Sequence, residues 1–508
     1  MPTRRDLIAA LEGAAGREYV LWRPEDLAVY EFDGTIEKSM PHAVVLPATT
    51  EEVAAAVRAC NRLGVPITPR GAGTGLSGGS VPAKRGVVIG TGRMRRILEI
   101  DPVDRVAVVE PGVANLDVSK AAAPFGLFYA PDPSSQQACS IGGNVAENAG
   151  GPHCLALGVT QNHVLGMEVV TAAGEVVWLG GRVADSFGYD LRGVFIGSEG
   201  TLGIVTKVVL RLLPVPASVV TLLAAFDTVE QASETVSSII GAGIIPAAME
   251  MMDRLCLQAA EAGFQCGYPP DAGAVLLVEL DGLPEAIESE AARVRAECLE
   301  RGAVDVRLAS SDRERALLWK GRKNAIPALG RLAPNYYIVD GVVPRSKLVD
   351  VMQVVGDVSE RTGIPIANVF HAGDGNLHPL VLFDERVPGM TERVLDAAAQ
   401  IMKACVDAGG TLSGEHGIGA EKRQFMPWLY GETDLENMER LRGAFGNTGQ
   451  FNPCKLLPGD RVRGDGAPGG GRAGGGAGCV CLTGEEGGGR REEPEVAPLC
   501  VGGRRRGL

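Results

Sequence analysis

The chain has 508 residues, 45% of them hydrophobic, and its 49 basic and 62 acidic side chains give a formal net charge of −13. This length is enough for two or three domains. The acidic excess argues against a nucleic-acid partner, which would need a basic face. No apolar run approaches the ~20 residues of a membrane span, and the N-terminus lacks the apolar core of a signal peptide. We therefore expect a cytoplasmic protein, with at most peripheral association at the inner face of the membrane.

The first strong pattern follows an N-terminal segment, residues 1–40, that is expected to be helical. A short apolar strand at 43–46 precedes a capping-box pattern at 49–52, which predicts a helix as far as Leu63. Gly64 is the expected end of that helix. A second strand at 65–68 then runs into a glycine-rich loop.

That loop, residues 70–80, contains five glycines in eleven residues together with hydroxyl groups and one arginine. It matches G-x-G-x-x-G, but Pro82 and a predicted strand at 86–90 follow where a Rossmann site would open a helix. A flexible surface loop is the alternative, but it does not explain the embedded Arg70, Thr74 and Ser77. We predict that the loop amides bind a pyrophosphate.

Two further glycine clusters follow, at 140–151 and 197–203, on either side of a predicted hairpin at 164–178. The first cluster is expected to be a loop, and the second leads into a strand at 204–213. Small residues of this kind let the backbone approach a ligand closely. Three such clusters before residue 215 predict a dinucleotide lying across a two-lobed domain.

From residue 217 to 408 the pattern changes to alternating strands and amphipathic helices, such as a strand at 275–280 and a helix at 285–301. Within this part, V-F-H-A-G-D-G-N-L-H-P at 369–379 predicts a hairpin whose turn is 373–376. His371 and His378 are then directly opposed, with Cβ atoms roughly 5 Å apart. Three interpretations are open: hydrogen-bonded buried histidines, a pair of metal ligands, or direct contacts with a substrate.

The motifs P-R-G-A-G-T-G-L-S-G-G-S, P-D-P-S-S, S-I-G-G-N-V-A-E-N-A-G-G, G-S-E-G-T-L-G-I-V-T, H-A-G-D-G-N-L-H and S-G-E-H-G-I-G occur in this order. Over about residues 40–458 the chain resembles the FAD-linked oxidoreductases of the vanillyl-alcohol-oxidase type. Within them it is most similar to the glycolate oxidase and D-lactate dehydrogenase group. The resemblance implies an α+β fold, in which a two-lobed FAD-binding domain is followed by an α+β cap domain that carries the substrate pocket.

On this basis we expect five parts in the chain. They are the N-terminal segment 1–40, the FAD-binding domain 41–216, the cap domain 217–408, a C-terminal segment 409–458 that returns to the flavin domain, and a tail 459–508. The tail has 17 glycines and no lysine. That composition predicts disorder.

The resemblance implies that the cofactor is FAD. The first loop lacks the histidine that relatives with covalent flavin carry, so we expect the FAD to be bound non-covalently. The residues expected to bind it are Arg70, Gly71, Ala72, Gly73, Thr74, Gly75, Ser77, Gly78, Pro131, Asp132, Ser135, Ser140, Gly143, Asn144, Glu199, Gly200, Gly203, Ile204 and Val205.

The same resemblance assigns two catalytic residues. Arg322, in a helix-like stretch, matches the arginine that grips the substrate carboxylate; a solvated basic face is the alternative. His416 matches the histidine that acts on the substrate hydroxyl.

Glu415 completes an N,N,O ligand set with His371 and His378, and such a set leaves coordination positions open, as catalytic metals require. In the dehydrogenase relatives these positions hold a divalent ion. We therefore expect zinc, manganese or iron at the matching residues here.

The expected reaction is the oxidation of glycolate or a small D-2-hydroxy acid such as D-lactate to the 2-oxo acid. Ile338 and Val339 stand where D-2-hydroxyglutarate enzymes have groups for a second carboxylate, which favours a monocarboxylate. The cysteines form no C-x-x-C motif, so electrons must leave to an iron–sulfur partner subunit, a quinone or a soluble carrier. The alternatives are a D-2-hydroxyglutarate dehydrogenase, a non-redox flavin transferase of the alkylglycerone-phosphate synthase type, and a non-catalytic FAD-binding subunit.

Overall fold

The computed structural model describes residues 3–183 and 188–459. They form two α+β lobes followed by a larger α+β unit, which matches the predicted fold class. Of the described helices, none is long and apolar enough to cross a membrane. The predicted disorder of the tail falls on residues 460–508, which lie outside the described residues.

The first lobe is built on a sheet with strand order β1-β2-β4-β3, in which β2, β4 and β3 run parallel. Because parallel strands need a crossover, the helix α3 connects β2 to β3 and packs beside α1. The elements are α1 (Arg4–Ala15), β1 (Val20–Leu21), α2 (Pro24–Leu27), β2 (Ala43–Val45), α3 (Thr50–Leu63), β3 (Ile67–Arg70) and β4 (Val87–Gly90).

The second lobe is an antiparallel sheet with strand order β5-β6-β10-β8-β9. Short helices cover one of its faces. The elements are β5 (Ile97–Asp101), β6 (Val106–Val109), α4 (Asn115–Ala122), β7 (Leu127–Phe128), α5 (Ile141–Glu147), α6 (Cys154–Leu157), α7 (Thr160–His163), β8 (Val164–Thr171), β9 (Val176–Gly180), α8 (Leu191–Phe195), β10 (Gly203–Arg211) and β11 (Leu213–Pro214).

The third unit, the cap, has a central sheet with strand order β15-β12-β14-β13-β18-β19-β17, and β20 pairs with both β16 and β18. Its elements are β12 (Ser218–Phe226), α9 (Val229–Gly241), β13 (Ala248–Asp253), α10 (Arg254–Phe264), β14 (Ala274–Gly282), α11 (Pro284–Glu300), β15 (Asp305–Leu308), α12 (Asp312–Lys323), α13 (Ala325–Ala328), β16 (Asn335–Ile338), β17 (Gly341–Val342), α14 (Leu348–Thr362), β18 (Ile366–His371), β19 (Asn376–Leu377), β20 (Pro379–Phe383) and α15 (Met390–Asp407).

The last helix of the C-terminal segment is α16 (Glu432–Ala444). The residues that follow it lie back on the first lobe. The Asn452 amide donates to the Ile67 carbonyl at 2.7 Å, and Lys455 Nζ donates to the Gly78 carbonyl at 2.6 Å. Short 3-10 helices occur at Arg17–Tyr19, Ala28–Tyr30, Ala123–Phe125, Leu329–Arg331, Arg345–Lys347 and Arg423–Trp428.

The two ends of α3 form as predicted, but Glu52 bonds the amide of Ala48 instead of that of Thr49, so the reciprocal half of the capping box does not close. The Thr49 hydroxyl accepts the amide of Glu52 at 3.2 Å, and the Glu52 carboxylate accepts the amide of Ala48 at 2.7 Å. Gly64 ends the helix with φ +63°, in the left-handed region that glycine tolerates. One free amide of the first turn is thereby satisfied by Thr49, and the left-handed end of the helix is placed on a glycine.

The prediction of a loop at 140–151 is wrong for the first half of this range, which forms the helix α5. Ser140 caps this helix by accepting the Gly143 amide at 3.3 Å. The glycines at positions 142 and 143 lower helix propensity, but the buried Ile141 and Val145 fix the helix against the sheet of the second lobe. Tertiary packing therefore overrides the local preference.

The predicted hairpin forms, but its register was wrong by two residues. His371 pairs with Asn376, so the turn is 372–375 and His378 is not directly opposite His371. Since side chains alternate with a period of two, a shift of two residues keeps both histidines on the same face. Their rings still meet diagonally, with centroids 5.2 Å apart at 82°.

A charged clamp joins the second lobe to the cap. His153 Nδ1 lies 3.0 Å from Asp132 Oδ2 and its Nε2 lies 3.3 Å from Glu279 Oε1 on β14. The ring also stacks on Trp319 of α12, with centroids 5.7 Å apart. Burial opposes the charged ring, but the Asp132 and Glu279 carboxylates raise the pKa of His153 to about 10. The clamp is thus a cation between two anions.

We expect this clamp to make stability depend on pH in the alkaline range. Because the pKa of His153 rises from 6.5 in the unfolded chain to about 10, its contribution is complete below pH 6.5 and is lost as the pH rises through 10. Such a shift corresponds to a few kcal/mol. Thermal melts should show a decline between pH 7 and pH 10 that is shallower in His153→Gln, and equal slopes would contradict the clamp.

Candidate active site

The first glycine-rich loop leaves β3 and presents its backbone amides without partners. No amide from Gly71 to Leu76 donates a hydrogen bond to another described residue. Gly73 has φ +75°, which lets the chain curl back on itself. Consecutive free amides on a curled loop form an anion-binding nest, so this geometry fits a phosphate group.

Arg70 supports the loop from beneath. Its Nη1 donates to the Phe32 carbonyl at 2.7 Å, and its guanidinium packs under Gly73, where a Cβ atom would collide with it. Burial lowers the pKa of Arg70, although Asp33 partly offsets this effect. The arginine therefore shapes the nest and contributes its charge from behind the amides.

The other two predicted clusters close on the first. Gly71 approaches Ser140 and Gly143 so tightly that a Cβ atom would strike the Ser140 hydroxyl. Glu199 has φ +52°, and its carboxylate accepts the amides of Ile418 and Gly419 at 2.7 and 2.6 Å. The third cluster thus positions the C-terminal turn that follows His416.

These clusters and the histidine-rich strands line one cavity of about 230 Å³. It runs from the first loop to the cap, so a ligand bound at the nest extends towards the histidines. Its lining is formed by Pro69–Leu76, Gly79, Ser80, Thr91, Pro111, Pro133–Ser135, Cys139, Ser140, Gly142–Asn144, Ala146, Glu147, Ala149, Phe195, Glu199, Gly200, Gly203–Val205, Arg322, Ile326, His371, His378, Glu415 and His416.

Most residues predicted to bind flavin belong to this lining, but four do not. Ser77 and Gly78 turn away, and their carbonyls accept hydrogen bonds from Ala420 and Lys455 of the C-terminal segment. Pro131 is outside as well, and the Asp132 carboxylate points to His153. These four residues support the walls of the cavity from outside.

The three predicted metal ligands converge. His371 Nε2 lies 3.1 Å from Glu415 Oε1, and His378 Nε2 lies 3.5 Å from the same oxygen. One ligand atom from each residue fits within a 4.8 Å span. His378 Nε2 is buried and has no hydrogen-bond partner among the described residues. An orphaned imidazole nitrogen beside a carboxylate is what a metal ion would satisfy, so the donor set fits a divalent ion.

Asp340, which the sequence reasoning missed, holds the turn that presents Glu415 and His416. Its carboxylate accepts the Ser413 hydroxyl at 2.6 Å and the backbone amide of His416 at 3.0 Å. It also pairs with the buried Lys422, whose Nζ lies 3.0 Å away. Burial opposes its charge, but Lys422 and His416 hold the pKa of Asp340 well below its usual range.

Glu250 on β13 is the second residue that the sequence reasoning missed. It is fully buried and forms an ion pair with Arg322, and its carboxylate oxygens lie 2.8 and 3.0 Å from His371 Nδ1. A glutamate in the middle of a buried strand is rare unless it is paired. That rarity was the available signal, but the partners of Glu250 are far away in sequence.

His416 stacks on His378 with ring centroids 4.8 Å apart. Its Nδ1 is buried without a hydrogen-bond partner among the described residues, and the carboxylate of Asp340 lies 4.0 Å from it. Burial, reinforced by His378, lowers the pKa of His416 to about 4. The ring is therefore neutral at pH 7, the form in which an imidazole accepts a proton.

The buried charges around the cluster leave room for a cation. Glu250 pairs with Arg322 and Asp340 pairs with Lys422, whereas the ionic partners of Glu415 among the described residues are histidines. Burial disfavours a charged ring, yet Glu250 and Glu415 raise the pKa of His371 well above its usual value. The same carboxylates that favour a proton there would favour a metal ion.

Family models place this arrangement among known proteins. Residues 41–180 match the FAD binding domain, and residues 215–456 match the C-terminal domain of FAD linked oxidases. The glycolate oxidase subunit GlcD of Escherichia coli is 48% identical over 453 residues, which cover 89% of this chain and 91% of that protein. The chain belongs to the FAD-linked oxidase family.

Other relatives agree with this assignment. GlcD of Bacillus subtilis is 41% identical over 85% of this chain and 92% of its own length. A D-lactate dehydrogenase of Anaerostipes hadrus is 33% identical over 85% of this chain and 91% of its own length. This FAD-linked oxidase is accordingly an FAD-dependent oxidoreductase of the glycolate oxidase GlcD and D-lactate dehydrogenase type.

Solved structures show the same fold at low sequence identity. p-Cresol methylhydroxylase superposes with a TM-score of 0.75 at 18% identity, over 89% of this chain and 96% of that one. The 4-ethylphenol oxidase from Gulosibacter chungangensis superposes with a TM-score of 0.74 at 21% identity, over 90% of this chain and 98% of that one. The predicted vanillyl-alcohol-oxidase architecture is confirmed.

Proposed function

We propose that this FAD-linked oxidase oxidises glycolate or a small D-2-hydroxy acid, such as D-lactate, to the corresponding 2-oxo acid. The observation that carries the proposal is a single cavity that joins a phosphate-binding nest to one arginine and a histidine–glutamate cluster. The nest fits the pyrophosphate of FAD. The cluster offers separate groups for a carboxylate and for a hydroxyl, the two functions that a 2-hydroxy acid carries.

Arg322 is the proposed carboxylate anchor. Its Nη2 is held by Glu250, while its Nε has no partner among the described residues. A guanidinium that is fixed on one side presents its remaining N–H groups in a set direction, and such groups bind carboxylates strongly. The substrate would therefore be oriented by its carboxylate before its α-carbon meets the flavin.

His416 is the proposed base. Its Nε2 lies 3.9 Å from Glu415 Oε1, on the side of the ring that faces the metal ligands. Asp340, the carboxylate beside Nδ1, favours the tautomer that carries its proton there and leaves Nε2 free. Nε2 then accepts the α-hydroxyl proton while the α-hydride leaves, so the substrate loses two electrons and two hydrogens.

Two groups would complete the site. Bound FAD would supply the acceptor for the hydride, and a divalent ion held by His371, His378 and Glu415 would lower the pKa of the substrate hydroxyl. The chain's own contribution is the geometry. It orients the substrate, holds His416 neutral and keeps the cluster out of bulk water.

The cavity favours a monocarboxylate over the other candidates. Of the described residues, Arg70 and Arg322 are the basic residues of the lining, and Arg70 is occupied under the nest. Ile338 and Val339 are buried in hydrophobic clusters and do not line the cavity. A second carboxylate or a substrate phosphate would therefore lack a cation, which disfavours D-2-hydroxyglutarate and a transferase of alkylglycerone phosphate.

Ile326 is predicted to limit substrate size. It lies on the short helix α13, which follows α12 after Asn324, and it lines the same cavity as Arg322. Replacing Ile326 with alanine should raise kcat/KM for D-2-hydroxybutyrate relative to glycolate by about 10-fold, since one or two methylenes are worth 1–3 kcal/mol in such pockets. Steady-state assays with both substrates measure the ratio. If the ratio of the two kcat/KM values is unchanged, the alkyl group of the substrate does not contact Ile326.

The proposal is tested by assaying the purified flavoprotein with an artificial electron acceptor. Glycolate, D-lactate, L-lactate and D-2-hydroxyglutarate are compared, and glyoxylate or pyruvate is measured as product. We expect oxidation of glycolate or D-lactate and at least tenfold lower kcat/KM for D-2-hydroxyglutarate. Preferential oxidation of the dicarboxylate would overturn the assignment.

We further propose that electrons leave to an acceptor other than oxygen. Two of the relatives are named as subunits of glycolate oxidase, so a partner iron–sulfur subunit is the first candidate, with a quinone or soluble carrier as alternatives. Co-purification of such a subunit, with flavin reoxidation that depends on it, would support this route.

A further inference from the structure

One buried carboxylate touches both halves of the proposed substrate site. Glu250 on β13 is paired in register with His371 on β18, and both of its oxygens lie within 3.0 Å of His371 Nδ1. The same carboxylate forms the ion pair with Arg322 of α12. Glu250 is fully buried and does not line the cavity. Its polar contacts with described residues are to these two neighbours, so we expect it to act on the cavity through them.

We propose that Glu250 is a positioning residue that couples the metal site to the carboxylate anchor. The inference rests on the proposed function and adds to it a residue that contacts neither substrate nor flavin. It predicts that one substitution behind the cavity weakens two different binding events in front of it.

The first action of Glu250 is on His371. A carboxylate at Nδ1 fixes the proton on that nitrogen, which leaves the lone pair on Nε2. Nε2 then points to Glu415, whose Oε1 lies 3.1 Å away. Carboxylates that hold a ligating histidine in this way typically account for 10–100-fold in metal affinity. The strand pairing makes the arrangement rigid, because both residues belong to the central sheet of the cap.

The second action is on Arg322. The ion pair holds Nη2, and the unpartnered Nε remains for another acceptor. Glu250 also neutralises a guanidinium that would otherwise repel a cation bound at His371. Without this carboxylate the anchor would lose its orientation, and the metal site would face an uncompensated positive charge.

The test compares Glu250→Gln with the wild-type flavoprotein. The glutamine keeps the shape of the side chain but removes its negative charge. It also has one accepting oxygen where the carboxylate has two, so it cannot hold both His371 and Arg322 as Glu250 does. Each protein is treated with a chelator, dialysed and titrated with Mn²⁺ alone by calorimetry. After reloading with Mn²⁺, kcat and KM for glycolate are measured separately.

We expect the Mn²⁺ dissociation constant of Glu250→Gln to rise 10–100-fold and KM for glycolate to rise at least tenfold. Asp253→Asn is the matched control, because Asp253 lies on the same strand, is buried and, within the described part of the chain, hydrogen-bonds to Asn368 and to the Cys256 amide at the start of α10. It should leave both constants within twofold of wild type.

Glu250→Asp keeps the charge on a shorter side chain and should restore part of both losses. If Glu250→Gln does not retain flavin, this variant decides, with a smaller rise in both constants expected. Unchanged constants in the variant that is measured, equal losses in Asp253→Asn, or a wild type that binds no Mn²⁺ would overturn the inference. If glycolate does not reduce the wild-type flavin, the proposed substrate fails, and the Mn²⁺ titrations still decide the role of Glu250.

Discussion

Replacing His416 with alanine should lower turnover of glycolate by about 10²–10⁴-fold, the usual contribution of a positioned general base. The residue lines the cavity beside Glu415 and has no hydrogen-bonding task that alanine would leave undone among the described residues. The backbone amide of His416, which Asp340 accepts, is unchanged by the substitution. Folding and flavin content should therefore survive while the reaction stops.

His42→Gln is the matched control for this experiment, because His42 does not line the cavity. Flavin absorbance, thermal stability and kcat are measured for both variants. The control should keep wild-type turnover. A His416→Ala protein with wild-type kcat would remove the base from the account, and loss of flavin from it would assign His416 to the cofactor instead.

Replacing Arg322 with alanine should lower kcat/KM for glycolate by about 10²–10⁴-fold, because two hydrogen bonds to a charged group are each worth ~1.5–3 kcal/mol. The variant should also be less stable by roughly 3–5 kcal/mol, since Glu250 is left buried without its cation. Arg322→Lys should recover little activity, as an ammonium cannot offer two parallel N–H groups.

The control for the anchor is Lys320→Ala on the same helix. Lys320 is exposed and does not line the cavity, so its removal tests whether the loss reflects the general positive charge of α12. Steady-state kinetics and thermal melts of the three variants separate these effects. Equal losses in Lys320→Ala and Arg322→Ala would favour the solvated basic face over the anchor.

Local signals predicted much of the flavin side. The two ends of α3, at Thr49 and Gly64, were predicted correctly because helix capping depends on residues within one turn. The first loop was predicted to bind phosphate without a helix, and Val87 does begin a strand after it. The helix α5 was missed because Gly142 and Gly143 argue against a helix locally, whereas its burial is decided by the distant sheet.

The cap side shows where local reasoning ends. The face shared by His371 and His378 was predicted because it depends only on alternation along the strands, but the register depended on which residues form the turn. Glu250 and Asp340 were missed because each is a single acidic residue in an apolar run. Their partners come from other strands, the C-terminal turn and α12, so only the tertiary structure reveals them.

The most direct test of the proposed function is anaerobic reduction of the bound flavin by glycolate in a stopped-flow spectrometer. If the cavity acts as proposed, the flavin absorbance should bleach with glycolate or D-lactate, glyoxylate or pyruvate should form in equal amount, and Arg322→Ala should bleach far more slowly. A flavin that stays oxidised with every small 2-hydroxy acid would contradict the account.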